Sequence, residues 1–213
     1  MNTIFKTARL DSYLVKPYLK TICYTLLLPI IFSAINRSLL TGISFAMCLI
    51  AMTTAYTFSI TEKNDMQRLY GLLPVRKNDL VIGRYVFIIF MGLISLTFSI
   101  IVQPIVLIAL GEKVTTNDII GAAVVGMLFF DIVQIPGYYK FGYIKGRIFT
   151  YIPIIGFAVI LFLIINSPIV NSPLITNIIN SPVLLLLFSL IIIFVMYIIS
   201  ITISIKIIKN KEM

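Results

Sequence analysis

An all-α, polytopic membrane protein is the fold class this sequence predicts, and three observations carry the prediction. Of 213 residues, 60% are hydrophobic and only 12% charged. The mean hydropathy of +1.07 exceeds what a water-soluble domain could cover with polar surface. Apolar runs long enough to cross a hydrocarbon core of about 30 Å recur along the chain. The lysines and arginines, finally, are gathered into a few short segments between those runs. Residues 1–213 are therefore read as a single transmembrane domain of six helices with both termini on the inner side.

The first element is residues 1–18. At about 100° per residue, Lys6, Arg9 and Lys16 fall within roughly 80° of one another, and Ile4, Ala8, Leu10, Leu14 and Val15 lie on the other side. Two readings stand: an interfacial helix in the inner membrane surface, or a basic flank that only sets topology. Asp11 interrupts the apolar sector, and Pro17 ends the segment. The start is basic and mixed, without the short apolar core and cleavage site of a signal peptide, so the first hydrophobic segment is expected to stay in the mature protein.

The spans are expected at about 19–36, 39–61, 85–110, 119–139, 148–165 and 183–205. Pro29 interrupts the first and Pro104 the third, which neighbouring helices make tolerable by satisfying the freed carbonyls. The connection at Arg37 and Ser38 is so short that the first two spans must form a tight antiparallel hairpin. Cytoplasmic loops are expected at 62–84 and 140–147. The stretch 166–182 carries Asn-Ser-Pro three times and no charge, reading as a short re-entrant or interfacial element. Cys23 and Cys48 both fall in spans and read as small apolar residues rather than a disulfide.

Orientation follows from the cations. With the N-terminus inside, the inner segments hold Lys6, Arg9, Lys16 and Lys20; Lys63, Arg68, Arg76, Lys77 and Arg84; Lys140, Lys145 and Arg147; and Lys206, Lys209 and Lys211. Only Arg37 and Lys113 remain outside, a strong positive-inside bias. The net charge of +9 thus belongs to topology and the lipid bilayer. Nucleic acid is not an expected partner, because the cations are split among short segments with no folded basic domain.

Catalysis is tested by absence. The chain has no histidine, which rules out an H-E-x-x-H metal site and a serine–histidine protease. No Gly-x-x-x-x-Gly-Lys-Ser/Thr loop is present to cradle a nucleotide. The expectation is a non-enzyme with no catalytic residue, cofactor or metal site of its own. Asp131 is the one carboxylate within a hydrophobic run. It either faces a pathway or subunit interface, or it lies near enough to the inner surface to hydrate.

Two inner loops are the informative places. Met66, Leu69, Tyr70 and Leu73 fall at i, i+3, i+4 and i+7, an apolar stripe on a short helix whose other faces carry Lys63, Asp65, Gln67 and Arg68. Gly71 and Pro74 limit it. So short a helix needs a surface to pack on, either lipid headgroups or a groove on a partner. "LLPVRKNDLVIGRY" then turns at Pro74, passes Arg76 and restarts a helix near Asn78 or Asp79, either of which can cap the third span. The second loop, "YYKFGYIKGR", packs Lys140, Phe141, Gly142, Lys145, Gly146 and Arg147 into a tight basic and aromatic return.

These two segments resemble those that follow the second and fourth spans in membrane subunits of the type-2 ABC exporter class, in its small-permease branch. Permeases of bacterial peptide exporters, including the phenol-soluble modulin exporter of staphylococci, are similar. The chain departs from the pattern in having no tryptophan before the proline, where Leu69 and Tyr70 stand, and in lacking a serine or threonine next to Val75. The resemblance implies a multi-pass permease of the bacterial cytoplasmic membrane. It would form a pathway for an amphipathic peptide, toxin or drug-like substrate with a second permease subunit, in a homodimer or heterodimer. It also implies separate cytoplasmic ABC ATPase subunits, which carry the ATP and Mg. These would dock on a coupling helix and the following turn: Met66, Gln67, Arg68, Leu69, Tyr70, Leu73, Pro74 and Arg76. The alternative is a non-ABC polytopic membrane protein such as an assembly factor or small carrier.

Overall fold

The computed structural model describes residues 3–64, 66, 75–128, 134–151 and 181–210. Among these the chain is helical and no strand occurs. Among the described residues, three stretches are long and apolar enough to cross a membrane: Thr3–Asn36, Lys77–Ala109 and Leu186–Asn210.

Helix α1 (Thr3–Val15) ends in a single 3-10 turn, Lys16–Tyr18, in which Pro17 supplies the fixed φ and no donor. Next come α2 (Leu19–Thr25) and α3 (Leu27–Asn36), separated only at Leu26. The break has a plain cause: Pro29 has no N–H to give to the carbonyl four residues earlier. Leu26 nevertheless keeps right-handed helical angles (φ −67°, ψ −16°), so the chain runs on without reversing. Reversal comes at Arg37, in the left-handed region (φ 49°), and at the extended Ser38. Helix α4 (Leu39–Lys63) then packs back on α3, with the Phe32 and Phe45 rings 4.5 Å apart.

Helix α5 (Lys77–Ala109) begins before the apolar run expected at 85. Its N-cap position is Arg76, not Asn78 or Asp79, and no side chain caps it. Asp79 instead sits in the first turn, where a carboxylate complements the helix dipole. Its buried residues mix apolar side chains such as Val81, Ile88, Leu96 and Leu107 with the small or polar Gly92, Ser95, Ser99 and Gln103, whereas Phe90, Ile94, Phe98, Ile101, Ile105 and Ile108 are exposed. Large apolar side chains left outside suit a hydrocarbon solvent, and small residues allow helices to pack closely.

Helix α6 (Thr116–Leu128) starts at a reciprocal cap: Thr115 donates from its backbone N–H (2.9 Å) and its hydroxyl (2.7 Å) to Asp118. The Asp118 N–H lies 3.3 Å from the Thr115 hydroxyl. Those bonds hold the Asp118 carboxyl below its ordinary value of 3.8. Helix α7 (Gln134–Gly146) covers most of the stretch 140–147 expected as a loop, and the return is confined to a kink at Gly142. A 3-10 turn, Arg147–Thr150, follows. Helix α8 (Pro182–Asn210) opens on a proline, whose missing N–H is no loss at the first helical position, and packs on α5, α6 and α7.

The packed helices have two distinct ends. At one, the start of α1 meets the start of α5, and the ends of α4, α7 and α8 converge with them around a small cavity. At the other, Arg37 pairs with Glu112 at 3.1 Å beside Lys113 and Asp118.

Candidate functional site

The convergent end is organised by an ion pair that periodicity did not reveal. Asp11 breaks the apolar sector of α1, and Arg84 stands inside the apolar opening of α5, "LVIGRYVF". In the folded chain they meet. Arg84 Nε lies 3.1 Å from Asp11 Oδ2, and Nη2 lies 3.2 Å from Oδ1, a two-point fork with the side chains only 7% and 5% exposed. Nη2 is also 3.3 Å from the Thr61 hydroxyl of α4. The guanidinium carbon sits 4.5 Å from the centre of the Phe58 ring and 5.9 Å from that of Tyr139 on α7. One cation on α5 therefore touches three other helices.

Each helix is held to this point by its own local chemistry. The buried stripe of α1 is Thr7, Asp11 and Val15, one residue per turn. The Thr7 hydroxyl lies 2.7 Å from the Ile4 carbonyl and 3.1 Å from the Asp79 carbonyl of α5, and Thr3 donates to the Asp79 carboxylate at 2.7 Å. So close an approach needs Gly83, where a Cβ would overlap the Thr7 hydroxyl. On α4, Thr61 donates back to the Thr57 carbonyl at 2.7 Å, which leaves its oxygen to accept from Arg84. The Phe58 ring stacks on Tyr138 at 4.9 Å and meets Tyr139 edge-on at 5.1 Å. Tyr85, next to Arg84, turns to α8, its hydroxyl 2.6 Å from that of Ser200 and 2.9 Å from that of Ser204.

Here the two inner segments singled out in the sequence come together. Glu62, the penultimate residue of α4, accepts the Tyr143 N–H just past the kink. The kink requires glycine: Gly142 has φ 76° and ψ −179°, and a Cβ there would lie 3.1 Å from the Glu62 carboxylate. A cavity of about 80 Å³ remains between Asp11, Thr61, Glu62, Arg84, Tyr139 and Gly142.

Of the residues expected to dock a partner, Met66 is half-buried in helical conformation and Arg76 is exposed at the head of α5. Gln67, Arg68, Leu69, Tyr70, Leu73 and Pro74 lie outside the described residues, as does Asp131. In the second segment Lys140, Lys145 and Arg147 are exposed, Phe141 stacks on Phe149 at 5.4 Å, and Gly146 is buried against Tyr138. Sequence reasoning missed Asp11, Arg84 and Thr61. The available signal was a carboxylate in one apolar face and a cation in another, each costly to bury without the other.

This arrangement is a junction that ties α1, α4, α5 and α7 where the stretch between α4 and α5 begins and ends. No curated protein and no solved structure matches the chain significantly. The family model described as ABC-2 family transporter protein matches residues 9–209, nearly the full length. That family is a component of membrane transport rather than a catalyst, working with ATPase partners. The chain, with its apolar helices and its convergent end, belongs to the ABC-2 transporter family.

Proposed function

We propose that this chain is the permease subunit of an ATP-driven exporter, with six spans, both termini in the cytoplasm and a place in a bacterial cytoplasmic membrane. A second permease subunit, a copy or a relative, completes the pathway. The resemblance of the segments at 72–85 and 138–147 to peptide-exporter permeases favours an amphipathic peptide, toxin or drug-like cargo. Separate cytoplasmic ATPases dock on the stretch 62–73 and the turn that follows, and supply ATP and Mg.

The observation that carries the reading is the buried Arg84 junction. Thr61 and Glu62 lead into the docking stretch, and Asp79 and Arg84 follow it. Because Arg84 bonds both Thr61 and Asp11, a displacement of the stretch is passed to α4, α5 and α1 together. Through Glu62 it also reaches α7 at its glycine kink. Closure of the ATPases moves the helices only to the extent that they bind the stretch differently in the two nucleotide states. Charge supports the orientation: Lys63, Lys77, Lys140, Lys145, Lys206 and Lys209 belong to segments converging at one end, while Arg37 and Lys113 stand at the other.

The test is copurification from membranes co-expressing the chain and its ATPase. Arg68→Glu combined with Leu69→Asp is expected to abolish ATPase recovery while leaving membrane insertion intact. A double variant that still retains its ATPase would overturn the assignment of the docking stretch. The purified chain alone is expected to hydrolyse no ATP.

A further inference from the structure

A second feature of the convergent end is unused by the junction. An open groove of about 790 Å³ runs between α7 and α8, floored by Pro136, Phe141, Phe149, Met196, Ile199 and Ile203. Its size lies within the range of about 300–1,000 Å³ typical of ligand sites. Its polar groups include Lys140, two residues before the kink of α7, and Asn210, the last residue of α8. Met196, Ile199 and Ile203 follow one another at helical spacing along α8 and are 41 to 51% exposed, so the groove opens sideways along an apolar helix face.

The charge of its walls is one-sided. Residues 134–150 and 182–210 carry Lys140, Lys145, Arg147, Lys206 and Lys209 and no aspartate or glutamate. Glu62, near the kink, is engaged by the Tyr143 N–H. The Lys140 ammonium rests 5.2 Å from the centre of the Phe141 ring and makes no ion pair among the described residues. An apolar slot lined by a cation without an ion pair among the described residues suits an amphiphile with a hydrocarbon tail and an anionic head. Basic pockets between membrane helices hold anionic lipid headgroups on the same physical grounds.

We infer that this groove is a binding site for an anionic phospholipid, one acyl chain lying along Met196, Ile199 and Ile203 and the phosphate against Lys140. Native mass spectrometry of the full chain, released from detergent after equilibration with equal phosphatidylglycerol and phosphatidylcholine, tests it. The wild type is expected to retain phosphatidylglycerol over phosphatidylcholine by about fivefold, the discrimination one cation near a headgroup supplies. Lys140→Gln should bring the ratio close to one, and Lys140→Arg should keep it. Ile203→Trp, which fills the slot, should remove the bound lipid, whereas Ile191→Trp, on a different exposed part of α8, should not. Retention unchanged in both Lys140→Gln and Ile203→Trp would overturn the proposal. Equal retention of the two lipids by the wild type would also overturn it, as would loss of a dimer rather than of lipid in Ile203→Trp. Elution volume and thermal unfolding in detergent establish that each variant is folded before its spectrum is read.

Discussion

Replacing Asp11 with leucine removes one half of a two-point ion pair and strands the Arg84 guanidinium in a site where only 7% of its side chain meets solvent. Breaking a buried pair from one side costs about 3–5 kcal/mol, because the remaining charge keeps its desolvation penalty and loses its compensation. The Thr61 hydroxyl and the Phe58 ring stay in contact with Arg84 and offset part of that, which favours the lower half of the range. Arg84→Met, made alone, leaves the Asp11 carboxylate buried without its fork and should cost about as much. The double variant should cost less than either single change, since no unpaired charge remains and two apolar side chains fill the space. The assay is a double-mutant cycle on unfolding in mixed micelles, with proteolysis of α1 as a local readout. Additive losses, or single losses below about 1 kcal/mol, would show that the pair does not hold α1 to the bundle.

Two further predictions concern the helix boundaries. Gly142→Val forces a β-branched residue into a region open essentially to glycine and pushes a side chain toward Glu62. It should lower stability by about 1–3 kcal/mol and weaken transport, and unfolding in detergent measures the first. Asp118→Asn weakens the cap of α6, and the pH dependence has a definite sign. The folded carboxyl is held below its ordinary value of 3.8 by hydrogen bonds from Thr115, so its contribution is present above that value and fades as the pH falls through the lowered one. The variant should therefore be less stable than wild type near neutrality and indistinguishable from it in strong acid, as thermal melts across pH would show.

Much of the molecule was legible before folding was considered. Apolar runs gave the class, Pro29 marked the interruption near Leu26, and Arg37 with Ser38 marked a reversal, because each depends on residues adjacent in the chain. The first turns of α5 are polar, and the helix starts at Lys77, one or two residues before the restart expected near Asn78 or Asp79. Those turns are helical where Asp79 and Gly83 give α1 a surface to pack on. A loop is expected over 140–147 because its glycines and cations resemble a connection, yet α7 runs to Gly146 and only Gly142 leaves helical geometry.

By itself the sequence determined the membrane class, the cation asymmetry and the two segments that carry the family likeness, all of which are sums or local patterns. The tertiary structure alone decided the junction. Asp11 and Arg84 are 73 positions apart, and each taken singly is a flaw in an apolar face. Hydrophobic periodicity reports which side of a helix is buried and says nothing of what it meets. Only packing could turn those two flaws into the pair that fastens four helices together.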